Sequence, residues 1–309
     1  MSLPYLDGDT VERSVSLAEV VDALGAVFAA GPSLVPRTHV PLGGGDNLLM
    51  MPAADDTAVG VKLLMVLPGN QAAGLPAIQG CYVLSDRRSG APLALLDGAA
   101  LTRIRTPAVS ALATRALART DVERLAVFGT GVQARAHVDA MLWARPSVVR
   151  VEVVGRTRER ADRLVADLRG RGYDARSADP AEGSSAGLIC TCTSSAQVVV
   201  VSSAVRPGTH VNAVGSYRPD AQEVDAGLVA RSRCVVDHLD AAKEEAGDLI
   251  AAVRAGPFAW SDVAGDLVGL ARGLVRRQDP EEVTFFKSVG LAVEDLVVAT
   301  LVARRVGLL

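Results

Sequence analysis

At 309 residues, 49% of them hydrophobic and 22% charged, the chain has room for two domains of ordinary size and the material for buried cores. A net charge of -3 and an isoelectric point near 5.9 exclude the electrostatic footprint of a protein that binds nucleic acid or an anionic membrane. The opening MSLPYLDGDTVERS carries acids where a secretory signal needs a basic start, and no run of about 18 apolar residues follows it, so a cytoplasmic protein is expected.

Residues 16–30, SLAEVVDALGAVFAA, place apolar side chains at helical spacing after a serine and predict a helix. Short β-like runs follow: VPRTHVPL, NLLMMPA, AVGVKLLMVLPG, AIQGCYVLSD and APLALLD. The turn signals GGGDN, PGN and RRSGAP separate them, which predicts a meander-like antiparallel sheet. From Thr102 to about Ala118 the pattern turns helical.

At Val122 the character changes. RLAVFGTGVQARAHVDAML reads as strand, glycine turn and helix, and VVRVEVVGRT with RERADRLVADLRGRG repeats the alternation. SAGLICTCTSS, THVNAVGS and RCVVDH add short apolar strands, so a parallel, doubly wound sheet is predicted. The stretch FFKSVGLAVEDLVVATLVARR reads as a long amphipathic helix after a Gly-containing turn. The expected class is therefore α/β. A Rossmann domain spans 116–290 and an N-terminal α+β domain spans 1–115, to which a final helix at about 291–309 returns.

Cys81, Cys190, Cys192 and Cys234 lack metal-site spacing apart from the C-x-C pair, which has no His/Cys cluster beside it; buried reduced thiols and no metal are expected. Of 32 basic residues only three are lysine: Lys62, Lys243 and Lys287. Lys243 sits beside two glutamates and reads as a solvated helix face. Lys62 lies in AVGVKLLMVL, a strand too apolar to carry an idle ammonium; facing inward, it needs an anionic partner. Lys287, after two phenylalanines, fits either a cleft wall or a cap on the final helix.

The sharpest motif is Gly129-Thr130-Gly131-Val132-Gln133-Ala134, which follows a strand and opens a helix. The first glycine permits the tight turn, the second admits backbone to a pyrophosphate, and Ala134 keeps helix and sheet close. Where an NAD enzyme carries an acid for the ribose 2′-hydroxyl, this chain reads Gly155-Arg156-Thr157. A guanidinium and a hydroxyl suit a 2′-phosphate, so NADP(H) is favoured, with NAD(H) the alternative.

PLALLDGAALTRIRTPAVSALATRALA before AVFGTGVQARAH, together with PRTHV, VGVK, VNAVGSYRPDAQEVD and TFFKSVGLAVEDL, resembles the ornithine cyclodeaminase/mu-crystallin family over nearly the whole chain. The resemblance implies a homodimer paired through N-terminal sheets. It also implies a small amino or imino acid substrate in the cleft between domains, while the charge and the lack of a long apolar run already speak against nucleic acid and membrane as partners. Carried residue by residue, it implies a carboxylate-binding Arg37, an active-site Lys62, and Arg105 with Thr106 reaching the dinucleotide phosphates. Gly129, Gly131, Val132 and Gln133 fall on the glycine loop, Arg156 and Thr157 on the NADPH-binding pattern, and Ser288 on a cofactor-side serine.

One departure narrows the activity. The family's cyclodeaminases place an aspartate two residues after the glycine of VNAVG; here Tyr217 stands there, and Asp220 comes three residues later. A phenol with a pKa near 10 is a poor base for releasing ammonia from ornithine, whereas reducing a cyclic imine asks only for orientation and hydride. The expected activity is an NADP(H)-dependent reductase of pyrroline- or piperideine-2-carboxylate type, with Tyr217 shaping the pocket or relaying a proton. The alternatives are ornithine cyclodeamination, alanine- or opine-type dehydrogenation, and non-catalytic binding of NADPH and small ligands.

Overall fold

A computed structural model describes residues 3–309, which divide into two compact units. One comprises the chain up to Ala108 together with Leu291–Leu309; the other is Val109–Gly290. The division falls inside one helix, Gly98–Leu117.

The first unit is a six-stranded sheet with helices on one face. Its strands are β1 (Tyr5–Leu6), β2 (Thr38–Gly43), β3 (Asp46–Ala54), β4 (Ala58–Val66), β5 (Ile78–Asp86) and β6 (Pro92–Asp97), in the order β1-β6-β5-β4-β3-β2. From β2 to β6 every neighbour is antiparallel, a meander whose turns fall at the glycine-rich runs; β1 adds in parallel to β6. Side chains alternate along these strands, so Leu49, Met51, Lys62, Leu64, Tyr82, Leu84, Ala94 and Leu96 all point into the core. The helix Leu17–Ala30 buries Val20, Val21, Leu24 and Phe28 and packs against the chain's last helix. Ser16 and Glu19 close a capping box at its start, each bonding the other's backbone N–H. The helix Ala292–Arg305 packs on β3 and β4 beside it.

That final helix differs from the expected amphipathic one. Its first nine residues, 292–300, are buried all round, including Glu294 and Asp295, and the TFFK segment ahead of it is a strand. A helix wedged between a sheet and another helix has no solvent face to present, so its acids need cationic partners inside the protein.

The second unit holds seven parallel strands: β7 (Arg124–Phe128), β8 (Arg150–Val154), β9 (Ala175–Ser177), β10 (Leu188–Thr191), β11 (His210–Ala213), β12 (Ser232–Val236) and β13 (Val283–Lys287). Their order is β12-β13-β11-β10-β7-β8-β9, the doubly wound arrangement in which the chain steps outward both ways from β7. The short apolar runs make sense here because helices sheathe both faces, leaving β10 and β11 buried at every position. Strand β13, the last in sequence, slots between β11 and β12. Among the described residues no helix is long and apolar enough to cross a membrane.

Candidate functional site

In the second unit, β7 leads directly into the turn Gly129-Thr130-Gly131 and the helix Val132–Ala144. Gly129 takes φ +120°, closed to most side chains, and a β-carbon there would stand 2.5 Å from the Cys192 carbonyl oxygen. Gly131 occupies the N-cap with extended backbone and no side-chain bond, so the first-turn N–H groups are not occupied by a capping side chain. Val132 is 63% exposed at that end, while Ala134 is fully buried against the sheet. Half-buried Gln133 offers its carbonyl to His137 Nδ1 at 2.8 Å. This is a cradle that a β-carbon would fill, open at a helix N-terminus, and it fits the pyrophosphate of a dinucleotide.

At the end of β8, Gly155 sits close under the loop: a β-carbon there would lie 2.9 Å from Thr130 Cγ2. Arg156 and Thr157 follow, both exposed. Thr157 is the N-cap of the helix Arg158–Gly170 yet makes no capping bond with its side chain. Arg156 makes no hydrogen bond or ion pair among the described residues, whereas Arg158 is engaged by Asp162 at 3.0 Å. One guanidinium and one hydroxyl therefore stand uncommitted just past the carboxyl end of β8, beside the glycine loop.

In the first unit the sequence-predicted Lys62 lies at the middle of β4, wholly buried. Its anionic partner is Asp295, whose Oδ2 accepts from Nζ at 2.6 Å; Thr102 Oγ1 accepts a second bond at 3.3 Å. An ammonium has three N–H donors, and the third meets no acceptor among the described residues. Arg105 joins the cluster: its guanidinium donates to Glu294 Oε2 at 2.8 Å and lies 3.6 Å from Asp295 Oδ1. Thr106 turns its hydroxyl back to the Thr102 carbonyl. Arg37, half-buried just before β2, is near enough for its charge to act on Lys62. Burial drives the Lys62 ammonium down from 10.5 to about 8; Asp295 opposes the shift, and Arg105 and then Arg37 add to it.

Glu294 and Asp295 are functional candidates that sequence reasoning passed over. The signal was present as two adjacent acids inside LAVEDLVVATLVA, an otherwise apolar run.

Returning to the second unit, Lys287 neither lines an open surface nor caps the final helix. It is fully buried on β13, 2.7 Å from Asp248 Oδ2, and donates to the Ser216 carbonyl at 2.7 Å. Glu223, also buried and also missed, accepts from the loops after β10 and β11; burial raises its carboxyl above the usual range, opposed by the Lys287 charge. Ser288 gives its hydroxyl to Asp237 Oδ2 at 3.0 Å, which also takes the N–H groups of Val289 and Gly290. Tyr217 is half-buried on the loop after β11, and the neighbouring Arg218 is held in a two-point pair by Asp220. All four cysteines are free thiols, and burial pushes Cys190 up to about 12. Among the described residues no His, Cys, Asp and Glu group is arranged to hold a metal ion.

Residues 8–307 match the sequence description of the ornithine cyclodeaminase/mu-crystallin family. The chain belongs to this family. A relative in Bacillus cereus, a Delta(1)-pyrroline-2-carboxylate reductase, is 39% identical over 282 residues, covering 88% of this chain and 86% of its own. Ketimine reductase mu-crystallin of Mus musculus is 33% identical, covering 95% and 93%. Among solved structures, the Delta(1)-pyrroline-2-carboxylate reductase of Thermococcus litoralis in complex with NADH and L-proline superposes with a TM-score of 0.93 at 29% identity, over 98% of this chain and 97% of that one. The family fold accounts for the two units and for the glycine loop at the head of the second.

Proposed function

We propose that the protein is an NADP(H)-dependent reductase of small cyclic imino acids of the pyrroline- or piperideine-2-carboxylate type. Membership in a family whose named relatives are imine and ketimine reductases makes it an oxidoreductase acting on a C–N bond. The observation that carries the substrate class is Lys62: a buried ammonium with one N–H directed at no protein acceptor suits a small carboxylate. Arg37 supplies a second cation to that carboxylate.

When bound, the reduced nicotinamide supplies a hydride to C2 of the imine. The chain's own residues do the rest. Gly129 and Gly131 admit the pyrophosphate to backbone N–H groups, and Arg156 with Thr157 receives the 2′-phosphate. Arg105 and Thr106 reach toward the phosphates, and Ser288 borders the cofactor. Lys62 and Arg37 fix the carboxylate so that C2 is presented in one orientation. Tyr217 shapes the pocket beside the ring. The first unit is the substrate and dimerisation domain. Its outward sheet face is apolar and half-buried at Leu48, Met50, Val61, Leu63, Met65, Val83 and Leu95, which suits pairing with a second copy of the chain.

The test is a panel of 2-oxo acids and cyclic imino acids followed by oxidation of NADPH and of NADH. Stoichiometric NADPH oxidation with a five- or six-membered cyclic imino acid is expected. Turnover confined to open-chain 2-oxo acids with ammonia would move the activity to amino acid dehydrogenation.

A further inference from the structure

Three segments far apart in sequence meet in one place. Glu223 of AQEVD, Asp248 of EEAGDL and Lys287 of TFFKSVG are each wholly buried, and they are bonded to one another or to the same short loop. The Glu223 carboxylate accepts five hydrogen bonds. Oε2 takes Thr191 Oγ1 (2.8 Å), Gly215 N (2.8 Å) and Ser216 N (3.3 Å); Oε1 takes Thr193 N and Thr193 Oγ1, both at 2.8 Å. Thr191 ends β10 and Thr193 lies just past it, and Gly215 and Ser216 follow β11, so one side chain ties two neighbouring loops. Gly215 must be glycine for this: a β-carbon there would meet Glu223 Oε1 at 2.4 Å.

The Ser216 peptide is gripped from its other side as well. Lys287 Nζ donates to the Ser216 carbonyl, and Asp248, which holds Lys287, accepts the backbone N–H groups of Glu223 and Val224. Both peptide groups of Ser216 are thus set by buried charged side chains, immediately before Tyr217. These loops leave the carboxyl ends of strands on the far side of the chain's turning point from β8 and Arg156. In a doubly wound sheet one half of a dinucleotide lies over each side of that point, so the loops at β10 and β11 take the nicotinamide half.

Resting on the cofactor reading above, we propose that Glu223 and Lys287 are positioning residues: they fix the backbone of Gly215 and Ser216 so that this loop holds the nicotinamide half of the cofactor. Neither touches the cofactor. A structural role alone would affect folding and the whole dinucleotide equally, whereas a positioning role is confined to one half.

The experiment compares NADPH with 2′-phospho-ADP-ribose, which lacks the nicotinamide ring, by titration calorimetry on the full chain. Two variants are used: Glu223→Gln, and Lys287→Met combined with Asp248→Asn, which removes both members of the Lys287–Asp248 ion pair together. Folded variants should bind 2′-phospho-ADP-ribose within about twofold of wild type, while the extra affinity for NADPH falls at least tenfold. With a cyclic imino acid, kcat should fall at least tenfold and the isotope effect from NADPH deuterated at C4 should rise. Equal losses for both ligands, or none for either, overturn the proposal. Should Glu223→Gln not fold, the double variant decides. A wild type that binds neither ligand overturns the cofactor reading instead.

Discussion

Lys62 on β4 and Asp295 on the final helix stand 233 positions apart in the chain and 2.6 Å apart in space, and neither side chain is exposed at all. Removing one member of such a pair strands the other's charge, at a cost of about 3–5 kcal/mol. Lys62→Met should therefore lower stability by about 3 kcal/mol, at the low end because Arg105 lies 3.6 Å from the same carboxylate. Adding Asp295→Asn should restore most of it, while imine reduction stays at least a hundredfold below wild type in both variants. Denaturant unfolding and steady-state kinetics on the two variants check this. Near-normal turnover in the double variant would remove Lys62 from the substrate site.

The same pair sets a pH limit. A lysine shifted from 10.5 to about 8 loses its proton, and its grip on a carboxylate, as pH rises through 8. The free-enzyme group is read in kcat/KM, which should be flat below about pH 8 and fall above it. Asp295 is the main influence favouring the charged form, so Asp295→Asn should move the falling limb to lower pH. A limb unmoved by that substitution would belong to another group.

Arg156 is exposed and bonded to nothing among the described residues, so its loss should leave stability unchanged. Wild type should bind NADPH at least tenfold tighter than NADH, a difference of about 1.4 kcal/mol. Arg156→Ala should erase most of that margin with little change in NADH affinity, as read by calorimetry. Equal affinities in the wild type would return the cofactor to NAD(H), the form bound in the Thermococcus litoralis structure.

Tyr217 separates reduction from cyclodeamination. Arg218, the cation beside it in sequence, is held by Asp220 in a two-point pair. We expect negligible proline and ammonia from L-ornithine with NADP+ or NAD+, and only a slight rise in Tyr217→Asp. Ammonia release by wild type at ordinary enzyme rates would reverse the assignment.

The apolar sheet face yields a prediction about assembly. Leu63→Glu places a charge at the middle of it, on the side opposite Lys62. Light scattering should show the wild type as a dimer and the variant shifted toward the 32.1 kDa monomer. A wild type that is monomeric at micromolar concentration would leave that face to another partner.

The features legible in the chain alone are local ones. The strand–glycine–helix turn at 129–134 and the Arg156-Thr157 step after β8 are legible because backbone sterics and side-chain periodicity act over a few residues. The meander between Thr38 and Asp97 was legible for the same reason, its alternation and its turns being neighbours in the chain. Lys62 stood out because an ammonium cannot rest unpaired in so apolar a strand. Which acid answers it was decided only by the tertiary structure, through the return of the last helix onto β4. The same holds for TFFK, a strand because it fills the gap between β11 and β12, and for Lys287, whose two readings gave way to a third. Buried charges find partners by proximity in space, and nothing in local propensity records where a distant segment of chain will pass.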